Sequence, residues 1–137
     1  MGEHDMTDAW DGANRRQFPR IVYPCLVKVT CDGEPRETFL THTENISVGG
    51  ISVIVKKEIR VFSTIEVEID LIEDPEHIVA TGRVVWSVRR KAIESVKPMF
   101  YDIGIQFDDI KDKDKTRLGV AISKFIEKGY KILKPVY

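Results

Sequence analysis

Arg15-Arg16-Gln17-Phe18-Pro19-Arg20 places three guanidinium groups within one hexapeptide, just ahead of the first β-prone run of the chain. Further on, Asn45-Ile46-Ser47-Val48-Gly49-Gly50 forms a short polar stretch between two apolar runs. Arginine's planar fork donates paired hydrogen bonds, which suits phosphates and the O6/N7 edge of guanine. Asn and Ser add donors and acceptors at fixed height, and Gly removes the Cβ that would block close approach. Together the two stretches have the chemistry of a site for a guanine nucleotide or another anionic, planar ligand. Each also has a plain reading: a solvated basic loop for the arginines, and turn formers for Asn45, Ser47, Gly49 and Gly50.

The elements that must position these residues follow from the hydrophobic pattern. Pro19 restricts Phe18 to extended geometry, so the arginine segment reads as loop. Residues 1–14 are polar and aperiodic and read as a flexible arm. From Ile21 the chain is β-prone through Val29, and Cys31-Asp32-Gly33-Glu34 supplies a hairpin turn. A second strand runs from about Glu37 to Glu44, a turn over Asn45–Gly50 follows, and Ile51–Val55 makes a third. Ser63 to Leu71 alternates Ile65, Val67, Ile69 and Leu71 against Glu66, Glu68 and Asp70, a half-buried strand with a solvated acidic face. Ile78, Ala80, Val84, Trp86 and Val88 share a face in the fifth strand, which reads Trp86 as a core residue, with partial exposure at the ligand's edge as the alternative. The sixth alternates Met99, Tyr101, Ile103, Ile105 and Phe107 against Asp102, Gly104 and Gln106.

Six antiparallel strands with short turns predict a mainly β fold, a six-stranded antiparallel β-barrel over about 21–108. Beyond Asp109 the period changes: Leu118, Ile122, Phe125, Ile126, Ile132 and Leu133 recur at helical spacing. A C-terminal α-helix over about 112–134 is expected, with Asp112 or Asp114 favouring its start.

Composition narrows the function classes. The chain has 137 residues, 42% hydrophobic and 31% charged, which suits one globular domain. A net charge of −1 gives no basic excess for a nucleic-acid partner. No apolar run is long enough to insert in a membrane and the start lacks a signal-peptide pattern, so a cytoplasmic protein is expected. Cys25 and Cys31 would sit on one face of a strand, about 20 Å apart at strand rise, beyond disulfide reach. His4, His42 and His77 are scattered, so neither a metal site nor a nucleophile–base pair is expected, and no catalytic residue is assigned. The expectation is a binding protein without enzymatic activity.

Arg16-x-x-x-Arg20 followed by Asn45-x-Ser47-x-x-Gly50 resembles the two-part signature of the PilZ domain, a bacterial receptor module for cyclic di-GMP. Gly82-Arg83-Val84-Val85-Trp86-Ser87 and Asp102-Ile103-Gly104-Ile105-Gln106-Phe107 resemble two later strands of that family, so the likeness covers about residues 15–137. The resemblance implies cyclic di-GMP as the ligand and no further cofactor. Arg16 and Arg20 would engage its phosphates and guanines, Asn45 a guanine edge, and Ser47, Gly49 and Gly50 the turn beneath it. Arg15 would contact a second nucleotide of an intercalated ligand dimer, or stand in solvent. On this reading the arginine arm orders over the turn on binding and signals to an unknown protein partner, regulating motility, surface polysaccharide or virulence traits. Monomer and homodimer both remain open. Two other classes stay in view: a nucleotide-independent adaptor that uses the same barrel, and an oligonucleotide-binding barrel. The latter needs a basic groove with interleaved aromatics.

Overall fold

The computed structural model describes residues 19–71, 74–91 and 99–133. The expected arm over residues 1–14 lies outside them. Among the described residues, eight strands and one helix follow in the order β1 (Arg20–Ile21), β2 (Leu26–Cys31), β3 (Glu37–Ser47), β4 (Gly50–Val55), β5 (Thr64–Asp70), β6 (Ile78–Lys91), β7 (Met99–Ile110), α1 (Asp112–Glu127) and β8 (Ile132–Leu133). The sheet order β2-β5-β6-β7-β4-β3 closes on itself through an additional β2–β3 pairing, giving a six-stranded antiparallel barrel. Closure leaves the main strands without a free edge. β1 and β8 extend from β3 as a short flap.

The barrel forms because alternate residues are apolar and meet at its axis. Ile65, Val67 and Ile69 of β5, Val27 and Val29 of β2, and Ile103 of β7 are all fully buried. Each such side chain contributes about 1.5–3 kcal/mol over its exposed state. The acidic face of β5 points outward and is matched by nearby bases: Glu66 with Arg36, and Glu68 with its cross-strand partner Lys28 and with His77. Leu118, Ile122 and Phe125 of α1 belong to the same core, so the helix packs its apolar stripe on the barrel. Tyr23 stacks on Phe125 at 3.8 Å between ring centroids, with Tyr130 edge-on to both.

Several elements differ from the sequence expectations. The first apolar run is two elements: Ile21 belongs to β1, and β2 begins only at Leu26. Pro24, which has no N–H to give a ladder, lies between them. Arg20 is therefore a strand residue, not a loop residue. β3 runs on through Ser47, so Asn45 and Ser47 are in a strand and the turn shrinks to Val48–Gly49. The helix ends at Glu127 instead of continuing to about residue 134, because Gly129 takes φ +94° and turns the chain. Ile132 and Leu133, whose spacing looked helical, form β8.

Trp86 is the clearest correction. Val84 is fully buried, yet Trp86 is 36% and Val88 49% exposed. The β6–β7 register shifts between Val84 and Trp86, and a bulge moves all later side chains to the other face. The indole therefore leaves the core and lies over Gly104, where a Cβ would collide with the ring.

Candidate functional site

The two sequence motifs meet at β1 and β3. Ile21 pairs with Ile46, which brings the residue before each motif's apolar anchor to the outside. There Arg20 Nη1 donates to Asn45 Oδ1 at 2.9 Å. Both side chains are half-buried, so the guanidinium is held by an acceptor without being withdrawn from solvent. β1 is itself held on its far side by β8, with Arg20 opposite Leu133 and Val22 N–H donating to Lys131 O at 2.8 Å. Arg15 and Arg16 lie outside the described residues.

Ser47 is 3% exposed, and its hydroxyl is used within the turn. It accepts from the Gly49 and Gly50 N–H groups at 3.1 and 3.2 Å and faces Gly50 O at 3.3 Å. This is a side-chain staple that closes the β3–β4 hairpin. Gly49 O accepts from Phe107 N–H at 2.9 Å, which ties the turn to β7. Gly50 is needed for close approach of strands: a Cβ there would strike the carbonyl oxygen of Ile105. The structure thus gives Ser47 and Gly50 a turn-building geometry, and gives Arg20 and Asn45 the outward-facing one.

The register extends the site along the outer barrel face. Asn45 pairs with Ser52, Ser52 with Gly104, and Gly104 with Trp86. Next to this row lie three side chains that sequence reasoning missed as a group: Glu44, Asp102 and Arg90. Ser52 Oγ donates to Glu44 Oε1 at 3.2 Å, and Asp102 pairs with Arg90 through Oδ2 and Nε. Burial pushes the Glu44 carboxyl above the usual carboxylate range; Asp102 pushes the same way, while Ser52 and Arg90 oppose. The sequence showed Asp102 as an outward residue of its strand, and the register sets it opposite Ile54 and Val88, within reach of Arg90.

Among the described residues, no group of three or more His, Cys, Asp or Glu side chains is arranged to hold a metal ion. Among the described residues, no helix is long and apolar enough to cross a membrane. A groove of about 340 Å³ runs along α1, lined in part by Leu71, Arg117, Val120 and Phe125, and shares no residue with the motifs. Of the motif residues, Arg20 and Asn45 lie half-exposed on the outer side of the barrel, whereas Ser47 and Gly50 are buried in the turn.

Among curated proteins, none matches the chain in sequence. Solved structures with the same fold include the Bacillus subtilis inhibitor of motility MotI/DgrA, 21% identical with a TM-score of 0.64 over 84% of this chain and 53% of that one. The MrkH–c-di-GMP complex from K. pneumonia is 19% identical with a TM-score of 0.67 over 83% and 52%. The PilZ domain of YcgR from Escherichia coli with c-di-GMP is 14% identical, TM-score 0.62, over 83% and 94%. The chain therefore spans about half the length of the MotI and MrkH chains and nearly all of the YcgR domain. At these identities the likeness speaks for the fold. The PilZ domain model matches residues 14–123, from just before the arginine motif into α1, and the chain belongs to the PilZ domain family.

Proposed function

We propose that this protein is a cyclic di-GMP receptor that signals by ordering its arginine arm, without catalysing a reaction. The observation that carries the reading is the Arg20–Asn45 hydrogen bond, which joins the R-x-x-x-R and N-x-S-x-x-G motifs at one outward-facing spot. The ligand offers two phosphates and two guanines, and guanidinium groups serve both, as paired donors and as stacking planes. Arg16 and Arg20 grip it, Asn45 reads a guanine edge, and the Ser47–Gly50 turn holds the floor of the site. Arg15 adds a third fork for a second ligand molecule stacked on the first.

Mutual repulsion of the three arginines keeps the arm open until an anion neutralises them. Once ordered, the arm presents a new surface to a protein partner. Two of the proteins with this fold, MrkH and the YcgR domain, were solved with c-di-GMP, which supports the choice of ligand. A cytoplasmic location fits a second-messenger ligand of this kind.

Calorimetry of the full chain with cyclic di-GMP, GTP and a short single-stranded oligonucleotide tests the proposal. Cyclic di-GMP alone should bind tightly, and the heat should vanish in an Arg16→Ala/Arg20→Ala double variant. Binding of the oligonucleotide in preference would overturn the reading. No binding of any of the three by folded protein would leave the nucleotide-independent adaptor.

A further inference from the structure

Three side chains of β6 stand in line on the outer face of the barrel: Trp86, Val88 and Arg90. The first two are 36% and 49% exposed, and the Arg90 side chain is 66% exposed. Their cross-strand partners on β7 are Gly104, Asp102 and Phe100. Asp102 is 3% exposed, and its Oδ2 is paired with Arg90 Nε. Its Oδ1 is buried and has no hydrogen-bond partner among the described residues. A buried acceptor without a donor keeps its full desolvation cost, so this carboxylate calls for a role beyond stability. What it does in this position is aim an arginine. Arg90 lies two residues beyond Val88, and reaching the residue opposite Val88 bends its side chain back along β6 toward Trp86. The guanidinium therefore lies within about one pleat, roughly 7 Å, of the row that holds Trp86. Because the pairing uses Nε, both Nη groups remain as a fork at the surface.

We propose that Arg90, aimed by Asp102, reads the O6/N7 edge of a guanine stacked on Trp86, which gives the site a specificity residue outside both sequence motifs. The inference rests on the receptor reading above. Charge decides between base and phosphate. Glu44 is held on the same face by Ser52, the cross-strand partner of Gly104. With Asp102 it sets two carboxyls against one arginine, so this end of the row has no positive excess to attract a phosphate. The guanine edge is uncharged and presents two acceptors side by side, which match a guanidinium fork. Adenine has an amino donor where guanine has O6, and the fork would meet it donor to donor. Arg20 and Asn45, at the far end of the row, serve the other half of the ligand. Asp102 is a positioning residue and not a ligand contact, because the oxygen it does not give to Arg90 is buried.

Calorimetry on the full chain tests this with cyclic di-GMP and its 7-deaza analogue, in which carbon replaces N7. Arg90→Ala should weaken cyclic di-GMP binding by about fivefold to a hundredfold. The same change should cost the 7-deaza ligand much less, because that ligand has already lost one of the two contacts. It should also narrow the preference for cyclic di-GMP over cyclic di-AMP. Asp102→Asn separates aiming from charge. On charge alone, removing a negative group would tighten the hold on a doubly anionic ligand. As the residue that aims Arg90, Asp102 should instead cost affinity when changed, with the same dependence on N7. If Asp102→Asn does not fold, the two titrations of Arg90→Ala decide by themselves. Equal losses on both ligands in Arg90→Ala, no loss in it, or tighter binding by Asp102→Asn would overturn the inference and leave the receptor reading standing. Wild-type protein that binds no cyclic di-GMP would bring down the receptor reading, and this inference with it.

Discussion

Arg20 and Asn45, 25 positions apart in sequence, are joined by a hydrogen bond of 2.9 Å across the β1–β3 pairing. The bond uses the Asn45 carbonyl oxygen and so turns its amide donors toward whatever else reaches the site. It also fixes one fork of Arg20 and leaves a planar cation at the surface. The two residues should therefore act as one unit in binding.

A double-mutant cycle on cyclic di-GMP affinity measures that unit. Hydrogen bonds to charged groups are worth about 1.5–3 kcal/mol, so Arg20→Ala and Asn45→Ala should each weaken binding about tenfold to a hundredfold. The double variant should lose much less than the product, because each single change already disables the pair. Losses that simply multiply would show that Arg20 and Asn45 contribute independently.

Gly50 makes a prediction about folding, not binding. Its α-carbon faces the Ile105 carbonyl across the β4–β7 ladder, and backbone cannot yield as a side chain can. Gly50→Ala should destabilise the barrel by about 1–3 kcal/mol, as overpacking typically does. Chemical denaturation measures this directly. Wild-type stability in the Ala variant would mean the strands can separate there at no cost.

Much of this architecture was legible in the sequence because one physical rule generates it. Where a strand alternates without interruption, as at Ile65, Val67, Ile69 and Leu71, every apolar residue is buried as the period requires. The rule failed at Trp86 and Val88 because a bulge is a backbone event that leaves no mark in hydrophobic order. It failed at Ile132 and Leu133 because two apolar neighbours fit a helical face as well as a short strand. The motifs pointed to Arg20 and Asn45, but not to the strand that holds Arg20 in place, since a two-residue element has no period to detect. The Arg90–Asp102 pairing was invisible for a different reason: it depends on which strands are neighbours, here β6 and β7.

Cys25 gives a pH prediction with a definite sign. Burial pushes its thiol up from 9.0 to about 11; the hydrogen bond with Thr43 opposes this and Asp70 adds to it. A folded-state value above the unfolded one means its contribution is complete below the unfolded value and lost as pH rises through the folded one. Two units correspond to roughly 2–3 kcal/mol, so stability should fall by that order between about pH 9 and about pH 11. Cys25→Ala should lower stability at neutral pH but flatten this slope. An equally steep alkaline loss in the variant would assign the effect to other groups.

Trp86 yields the last prediction, from its place in the cross-strand row. Asn45, Ser52, Gly104 and Trp86 are successive partners on four adjacent strands. At about 4.8 Å per strand, the row spans about 14 Å along the barrel's curve. The indole lies over Gly104, which has no side chain to displace it, and the residue keeps 36% of its surface exposed. That exposed part of the indole is what a purine extending from Arg20 and Asn45 would stack on. Base–aromatic stacking is worth about 1–3 kcal/mol, so Trp86→Ala should weaken cyclic di-GMP binding by about fivefold to a hundredfold. The chain contains two tryptophans, so a Trp10→Phe background isolates the Trp86 emission. Ligand addition should quench that emission in step with the calorimetric isotherm. Trp86→Phe should recover part of the affinity, since a smaller ring still stacks, whereas Trp86→Leu should not. Unchanged emission on saturation, together with wild-type affinity in Trp86→Ala, would confine the site to the β1–β3 side of the row.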